Sequence, residues 1–170
     1  MKPLWEVTRD LHHACEEHPV GAAMSTGKPP MIWYAAWVKA LLQIHSHIDP
    51  HAPECIHRTD RLIKDNELLG NVPESARANE YTRTLDNANA IAGALYVLTG
   101  AHLMGGEIMR RRLEGYPTLH LEWDERKDAL AELQILRTRG ELGQEARDCF
   151  AALLAVMDEI QITYPLDTEQ

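Results

Sequence analysis

The chain has 170 residues, 45% of them hydrophobic and 25% charged, and a formal net charge of −9. A chain of this length and composition forms one globular core, which excludes a fibrous or disordered protein. The acidic balance excludes nonspecific nucleic-acid binding, because that activity needs a basic face that displaces counterions from phosphates.

The cysteines and the apolar runs indicate the compartment. Cys15, Cys55 and Cys149 are odd in number, far apart and never spaced as CxxC, so neither a disulfide framework nor a thiolate zinc site is predicted. The first residues do not have the pattern of a secretory signal, and no uninterrupted apolar run of about 18 residues occurs. We expect a cytoplasmic monomer with no membrane span and no nucleic-acid partner.

Apolar residues recur at helical spacing along most of the chain, and glycine or proline separates the periodic segments. We predict a helix over residues 2–17, a loop over 18–30, a buried helix over 30–48, a helix between 53 and 70, a polar helix from about 73, a long helix from 85 or 86 to 114, and helices over 122–139 and 142–164. No β alternation is evident. The sequence therefore predicts an all-α, single-domain helical bundle over residues 1–170, with a flexible tail over 165–170.

Four glycines interrupt the longest helical segment: Gly93, Gly100, Gly105 and Gly106. Each costs about 1 kcal/mol relative to alanine inside a helix, so we expect the segment to bend or unwind. Bare backbone lets either a large flat ligand or a neighbouring helix approach closely. The glycines alone leave both interpretations open.

In the first helix, His12 and Glu16 are one turn apart, and Arg9 lies three residues before the histidine. A neutral imidazole can bind iron through one nitrogen while its other nitrogen donates a hydrogen bond to Glu16, which fixes the tautomer. Arg9 is then a candidate partner for a haem propionate. A solvated surface pair has the same spacing, and the adjacent His13 is a rival ligand.

Two sequence blocks together resemble the haem oxygenase family. VTRDLHHACEE is similar to the segment that carries the family's proximal histidine, and LYVLTGAHLMGGEIM is similar to its distal helix. A weaker similarity covers residues 34–48 and 145–160, whereas residues 49–87 match poorly. The resemblance implies a haem oxygenase fold, with haem between the first helix and the kinked glycine-rich helix. It implies His12 as the iron ligand, Glu16 as its hydrogen-bond partner, and Gly105 and Gly106 as the backbone over the other haem face.

The activity implied by the resemblance is oxidative cleavage of haem to biliverdin, carbon monoxide and ferrous iron. Haem would be both cofactor and substrate, with O2 as the co-substrate. Electrons would come from a ferredoxin or a flavin reductase. The one dense basic cluster in the sequence, Arg110-Arg111-Arg112, is the predicted docking patch. The same cluster also suits a solvated helix C-terminus, whose dipole favours cations.

Two histidines depart from the family's usual pattern. His102, after Ala101, stands where many relatives have a water-ordering aspartate, although plant-type members have a similar Ala-His pair. His45 stands where many relatives have a tyrosine of the same water network. We predict that the catalytic residues are His45, Ala101, His102, Gly105 and Gly106. If His102 ligated the iron instead, the site would be closed to oxygen. Arg126 and Lys127 are further candidates for the propionates.

Three other functions stay open on the residues alone. Glu54 and His57 form one ExxH motif, whereas a dinuclear metal bundle normally needs two. A thiamin-degrading enzyme of the same fold class would need a nucleophilic cysteine, and Cys149 lies in an expected core stripe. A haem carrier or sensor would need His12 and the haem groove but no oxygen chemistry.

Overall fold

The computed structural model describes residues 1–166, and within them every regular element is helical. The α-helices are α1 (Leu4–Val7), α2 (Arg9–Glu17), α3 (Pro19–Thr26), α4 (Met31–Ile48), α5 (Thr59–Leu68), α6 (Ala76–Thr82), α7 (Ala88–Gly100), α8 (Gly106–Arg112), α9 (Arg126–Arg137) and α10 (Gly143–Thr163). The predicted all-α fold is confirmed. The expected tail lies, from residue 167 onwards, outside the described residues.

The core forms around the three longest helices. α10 packs along α7 and also contacts α2, α3, α4 and α6, while α4 packs against α5 and α6. Tyr34, Leu41 and Ile44 of α4 are all almost completely buried. Burying an apolar side chain of this size contributes roughly 1.5–3 kcal/mol, so this packing fixes α4 relative to the other two long helices.

Gly93 is the point of close approach between α7 and α10. A Cβ at this position would lie 2.5 Å from the Glu145 Cβ and 3.0 Å from the Ala146 nitrogen. Any larger residue would therefore push the two helices apart. Of the two explanations for the glycines, close helix packing applies here.

The prediction of a loop over residues 18–30 is wrong, because this segment contains α3. The His18 ring caps the helix by accepting a hydrogen bond from the Val20 N–H at 3.1 Å, and a proline occupies the first helical position. Val20 and Met24, one turn apart, are buried. The helix ends at Gly27, which has a φ of 79°. A helix of about two turns has too few apolar positions for its period to be recognised.

Other helix boundaries also differ from expectation. The first helix breaks at Thr8, whose hydroxyl donates to a carbonyl one turn earlier and bends the chain. α5 begins at Thr59, later than predicted, because Asp49 accepts hydrogen bonds from the N–H of Thr59 and of the residue before it. α9 begins at Arg126 instead of residue 122.

The glycine-rich segment widens between α7 and α8. Ala101–Gly105 is a π-helical turn, in which each N–H bonds one residue further back than in an α-helix. Turns of this kind displace the helix axis and occur frequently at functional sites. The expected departure from regular helix at the glycines is confirmed, and this segment is named the wide turn below.

By length and composition, Ala88–Arg112 could span a membrane, with a mean hydropathy of 1.2 in its most apolar window. However, 61% of that window is buried inside the described structure. The core helix of a globular protein has the same character, and α7 packs along α10. The apolar composition of this segment is therefore explained by its place in the core.

Candidate functional site

The exposed face of α2 carries the predicted iron ligand. His12 Nε2 lies 3.2 Å from Glu16 Oε1, and the two side chains are 58% and 55% exposed. His13 approaches the same carboxylate less closely, at 3.9 Å. The His12 ring also contacts Phe150 of α10 edge to face, with 5.9 Å between ring centroids. The carboxylate and the aromatic ring therefore orient His12 more closely than His13.

The three basic propionate candidates lie in different surroundings. The Arg9 guanidinium lies over the exposed Trp5 ring, 4.7 Å from its centroid. Arg126 donates a hydrogen bond to the Leu103 carbonyl at 3.2 Å and so contacts the wide turn directly. Lys127 is exposed near the start of α9. Arg9 thus lies on the same helix as His12, whereas Arg126 contacts the wide turn.

The wide turn has one bare face and one packed face. Ala101, Met104 and Gly105 are exposed, and a Cβ at Gly105 would meet no atom of the described residues within 4 Å. Gly106 is buried instead, and a Cβ there would lie 3.3 Å from Leu121 Cδ2. Gly105 therefore presents its backbone to open space, whereas Gly106 lets the turn pack against Leu121.

Two arcs of chain, α1–α2–α3 and α7–wide turn–α8, meet at both ends. Leu4 of α1 and Tyr96 of α7 belong to the same apolar cluster. At the other end, the backbone of Gly27, directly after α3, approaches the Arg112 carbonyl so closely that no Cβ would fit. The Arg112 side chain also donates to a carbonyl of α3 at 2.8 Å. Between these contacts, the first arc carries His12 and the second carries the wide turn.

Three histidines form a buried cluster at the wide turn. The His45 and His102 rings are stacked, with centroids 5.2 Å apart and an angle of 26° between planes. His120 meets the His102 ring edge to face at 5.8 Å. The three residues are 1%, 6% and 3% exposed, respectively. The fold therefore brings together the two histidines that the sequence singled out and adds a third.

Two aspartates hold the outer histidines of this cluster. Asp49 Oδ1 lies 3.1 Å from His45 Nδ1, and Asp65 Oδ2 lies 2.7 Å from His120 Nδ1. A carboxylate only accepts, so each Nδ1 donates. Among the described residues, His45 Nε2 and His102 Nδ1 are buried without a hydrogen-bond partner. Unpartnered buried nitrogens are costly, so this position suits an ordered water or a polar ligand.

Burial favours the neutral form of His102. It lowers the pKa of His102 well below the usual 6.5, and neighbouring charges lower it further. Burial also lowers the pKa of His120, although its carboxylate partner opposes that shift. Burial raises the pKa of Asp49, but hydrogen bonds from its neighbours outweigh burial and the pKa is about 2. His102 and His120 are therefore neutral imidazoles, which both donate and accept hydrogen bonds, and they share the cluster with an ionised Asp49 carboxylate.

The sequence did not point to Asp49, Asp65 or His120 as parts of this site. Asp49 had a usable signal, because it follows His45 by four residues and comes directly after the helix predicted over residues 30–48. Asp65 and His120 are 55 residues apart, and the same carboxylate also accepts the His120 N–H. No local pattern reports a pair that only tertiary packing creates.

The arginines after the wide turn are partly neutralised by their neighbours. Arg110 and Arg111 both pair with Glu107, at 2.9 Å and 3.2 Å. The Arg112 side chain donates a hydrogen bond to the Ser25 carbonyl of α3. This surface is less basic than three consecutive arginines suggest, and docking of an electron donor there stays a prediction.

The metal and thiol alternatives receive no support from the geometry. Within residues 1–166, no group of three or more His, Cys, Asp or Glu side chains is arranged to hold a metal ion. His57 Nε2 donates to the Ala52 carbonyl at 2.7 Å, and Glu54 is exposed. Cys149 is fully buried, and burial raises its pKa to about 12, which suits a packed thiol better than a nucleophile.

A cavity of about 640 Å³ lies beside the second arc, next to α5 and α8. Much of its charge is paired, Arg61 with Asp124 and Arg110 with Glu107. No histidine is among its lining residues in the described part of the chain, so it offers iron no axial imidazole. We therefore assign the candidate site to α2 and the wide turn.

Three solved structures that share this architecture are haem oxygenases. The enzyme from Leptospira interrogans is 16% identical, with a TM-score of 0.79 over 92% of this chain and 97% of that chain. Haem oxygenase-1 from the cyanobacterium Synechocystis, in complex with haem, is 17% identical, with a TM-score of 0.81 over 94% and 91%. Haem oxygenase-2 from Synechocystis, with haem and NO, is 18% identical, with a TM-score of 0.75 over 95% and 86%.

The chain therefore has the haem oxygenase fold over nearly its whole length. No protein-family model matches the sequence, and no curated protein matches it. At this identity the comparisons establish the fold, and the activity has to be argued from the residues of the site.

Proposed function

We propose that the protein is a haem oxygenase, which uses O2 and electrons from a reduced partner to cleave haem to biliverdin, carbon monoxide and ferrous iron. One observation carries the proposal. Within the haem oxygenase fold, the exposed His12–Glu16 pair lies on one arc and the bare backbone of Gly105 lies on the other.

The residues present fit a haem. His12 supplies a neutral nitrogen ligand, and Glu16 holds the ring through its other nitrogen. Gly105 has no side chain to collide with a flat ligand. Met104 and Ile108 are 52% and 55% exposed, so the second arc offers apolar surface that a porphyrin would cover. The exposed Arg9 and Lys127 are the proposed partners of the propionates.

Bound haem would supply the iron at which O2 is activated. The protein's part is then to hold water and protons beside that iron. We assign this task to His102 and His45, because His102 Nδ1 and His45 Nε2 have no hydrogen-bond partner among the described residues. The burial of His102 and its stacking on His45 favour this role over direct ligation of iron. Ala101 keeps the exposed face of the wide turn shallow.

We further propose that a ferredoxin or flavin reductase delivers the electrons in the cytoplasm. The run from Arg110 to Arg112 is its proposed docking patch, because it has three guanidinium groups, of which only Arg110 and Arg111 pair with a carboxylate, that of Glu107. Arg111, 73% exposed, is the most accessible of the paired groups. An acidic donor would be attracted to such a surface, and its association rate would fall as salt is added.

The test is a turnover experiment with purified protein. Haem is titrated into the haem-free chain and followed by the Soret band, and a ferredoxin reducing system is then added in air with catalase present. We expect one haem to bind per chain, the Soret band to disappear, and biliverdin to form together with carbon monoxide. Biliverdin is identified by absorbance and mass, and carbon monoxide by trapping on ferrous myoglobin.

Three kinds of outcome would contradict the proposal in different ways. A stable oxygenated or six-coordinate spectrum that never bleaches would show a haem carrier. Failure of the chain to bind haem would remove the function altogether. Bleaching without biliverdin, or bleaching that catalase prevents, would show nonspecific damage by peroxide.

A further inference from the structure

Two side chains, one from the loop before α9 and one from the first residue of α9, bind consecutive carbonyls of the wide turn. Trp123 Nε1 donates to the His102 carbonyl at 3.2 Å, and an Arg126 guanidinium nitrogen donates to the Leu103 carbonyl at 3.2 Å. Isolated π-turns are rare, because the regular α-helical pattern competes with them. Side-chain donors at two neighbouring carbonyls would favour the π-helical form of this turn over a regular α-helical turn.

Trp123 is itself held by a buried cation. The Arg58 guanidinium lies 3.5 Å from the centroid of the Trp123 ring, and Arg58 is only 4% exposed. The same guanidinium donates to the carbonyls of His120 and Glu122 at 3.1 Å and 2.6 Å. The Arg58 N–H donates to the Asp49 carboxylate at 2.8 Å. Arg58 thus connects Asp49, the partner of His45, to the loop that carries Trp123.

We propose that Trp123 and Arg126 are positioning residues, which hold the wide turn in its π form through their hydrogen bonds to the His102 and Leu103 carbonyls. Through the turn they set the height of the Gly105 backbone, and Trp123 also fixes the residue that carries the His102 ring. The link to haem rests on the proposed function, whereas the hold on the turn does not. For Arg126, this role replaces the propionate contact that the sequence suggested.

The strength of the effect follows from the two hydrogen bonds. A hydrogen bond of this kind changes a local opening equilibrium by about threefold to tenfold. Removing one donor should therefore leave the fold intact and let the wide turn open more often. Removing both should have a larger effect on the same residues.

The first measurement uses the haem-free protein and amide hydrogen exchange over residues 101–106. Trp123→Phe removes the N–H but keeps a ring under Arg58, and Arg126→Met removes the guanidinium but keeps the stem. Trp33→Phe is the matched control, because Trp33 Nε1 also donates to a backbone carbonyl, that of Tyr164, at 2.7 Å. We expect exchange in 101–106 to be about threefold to tenfold faster in each test variant and unchanged in the control.

The second measurement uses the haem-loaded, reduced protein with carbon monoxide as the probe. The C–O stretching frequency responds to the groups around the diatomic ligand, so it should shift in Trp123→Phe and in Arg126→Met. It should keep its wild-type value in Trp33→Phe, and Arg126→Lys should restore it in part. Purely structural damage would lower stability without such a pattern.

Unchanged exchange in 101–106 in both test variants would overturn the proposal, and so would equal acceleration throughout the chain. An altered exchange with an unaltered C–O frequency would overturn the link to the site. If the chain binds no haem, the proposed function fails, while the exchange result still decides whether these side chains hold the turn.

Discussion

His12 and His13 are adjacent, similarly exposed histidines that approach one carboxylate, yet only the first is oriented by Phe150 as well. We predict that His12→Ala abolishes the normal ferric haem spectrum and weakens haem binding by at least about tenfold, a loss that removal of an outer partner alone can produce. His13→Ala, the matched control, should bind haem as the wild type does. Absorbance titration decides this. Added imidazole should restore the spectrum of His12→Ala, and equal losses in both variants would refute the assignment.

Asp49 is the acceptor on which the histidine cluster depends. It accepts hydrogen bonds from the His45 ring, from the Thr59 hydroxyl and from two backbone N–H groups. In Asp49→Asn the new NH2 group cannot accept, so buried donors lose their partner. We expect the free energy of unfolding of the haem-free protein to fall by about 1–3 kcal/mol, measured by urea denaturation. Asp86→Asn, at an exposed position, should change it by less than about 0.5 kcal/mol.

The second arc contains glycines that serve opposite purposes, so the same substitution should act in opposite ways. Gly93→Ala would place a Cβ 2.5 Å from Glu145 Cβ, and we expect a loss of about 1–3 kcal/mol in unfolding free energy. Gly105→Ala meets no atom of the described residues within 4 Å, and alanine favours helix by up to about 1 kcal/mol. Thermal unfolding of the haem-free variants should thus show Gly93→Ala destabilised and Gly105→Ala unchanged or stabilised.

Haem binding provides the second half of this comparison. In Gly105→Ala the added methyl group would project from the bare face of the wide turn, so haem affinity should fall although the haem-free fold is intact. If Gly105→Ala binds haem with wild-type affinity and supports wild-type turnover, the bare face of the turn is not the haem surface.

Helices with long apolar stripes were predictable, whereas elements made by tertiary contacts were not. The helix predicted over residues 30–48 agrees with the observed α4, because it has many apolar positions in phase. α3 was missed because one buried pair, Val20 and Met24, is too little for a period to emerge. The glycines did locate the wide turn. Its two external donors, Trp123 and Arg126, come from a segment that no local pattern connects with it.

Across the whole chain, α10 supports both arcs of the candidate site. It packs along α7, contacts α1, α2 and α3, and places Phe150 against His12. The resemblance of two short blocks to haem oxygenases gave the fold correctly, since those blocks lie one on each arc. Their spacing in the fold, and the buried polar cluster between α4, α5 and the wide turn, required the tertiary structure.

The buried histidines and Asp49 make the stability of the whole molecule sensitive to acid in two separate pH windows. The pKa values of His102 and His120 lie below the usual 6.5 because both are buried, so the unfolded chain binds these protons first. Their contribution to stability is complete above pH 6.5 and is lost as the pH falls from there towards the folded-state values. Asp49, with a pKa of about 2 against an ordinary 3.8, contributes above pH 3.8 and is lost only between 3.8 and 2.

We therefore predict that the haem-free protein loses unfolding free energy as the pH falls from 6.5 to 5, by up to about 1.4 kcal/mol per pH unit for each of His102 and His120. The lost free energy arises because folding must expel a proton that the unfolded histidine binds. His102→Gln and His120→Gln should each flatten the slope, whereas His51→Gln, at an exposed position, should leave it unchanged. Urea denaturation at several pH values measures the slopes. A slope that survives both cluster substitutions would mean that other groups bind the protons, and that His102 can carry charge in the folded site.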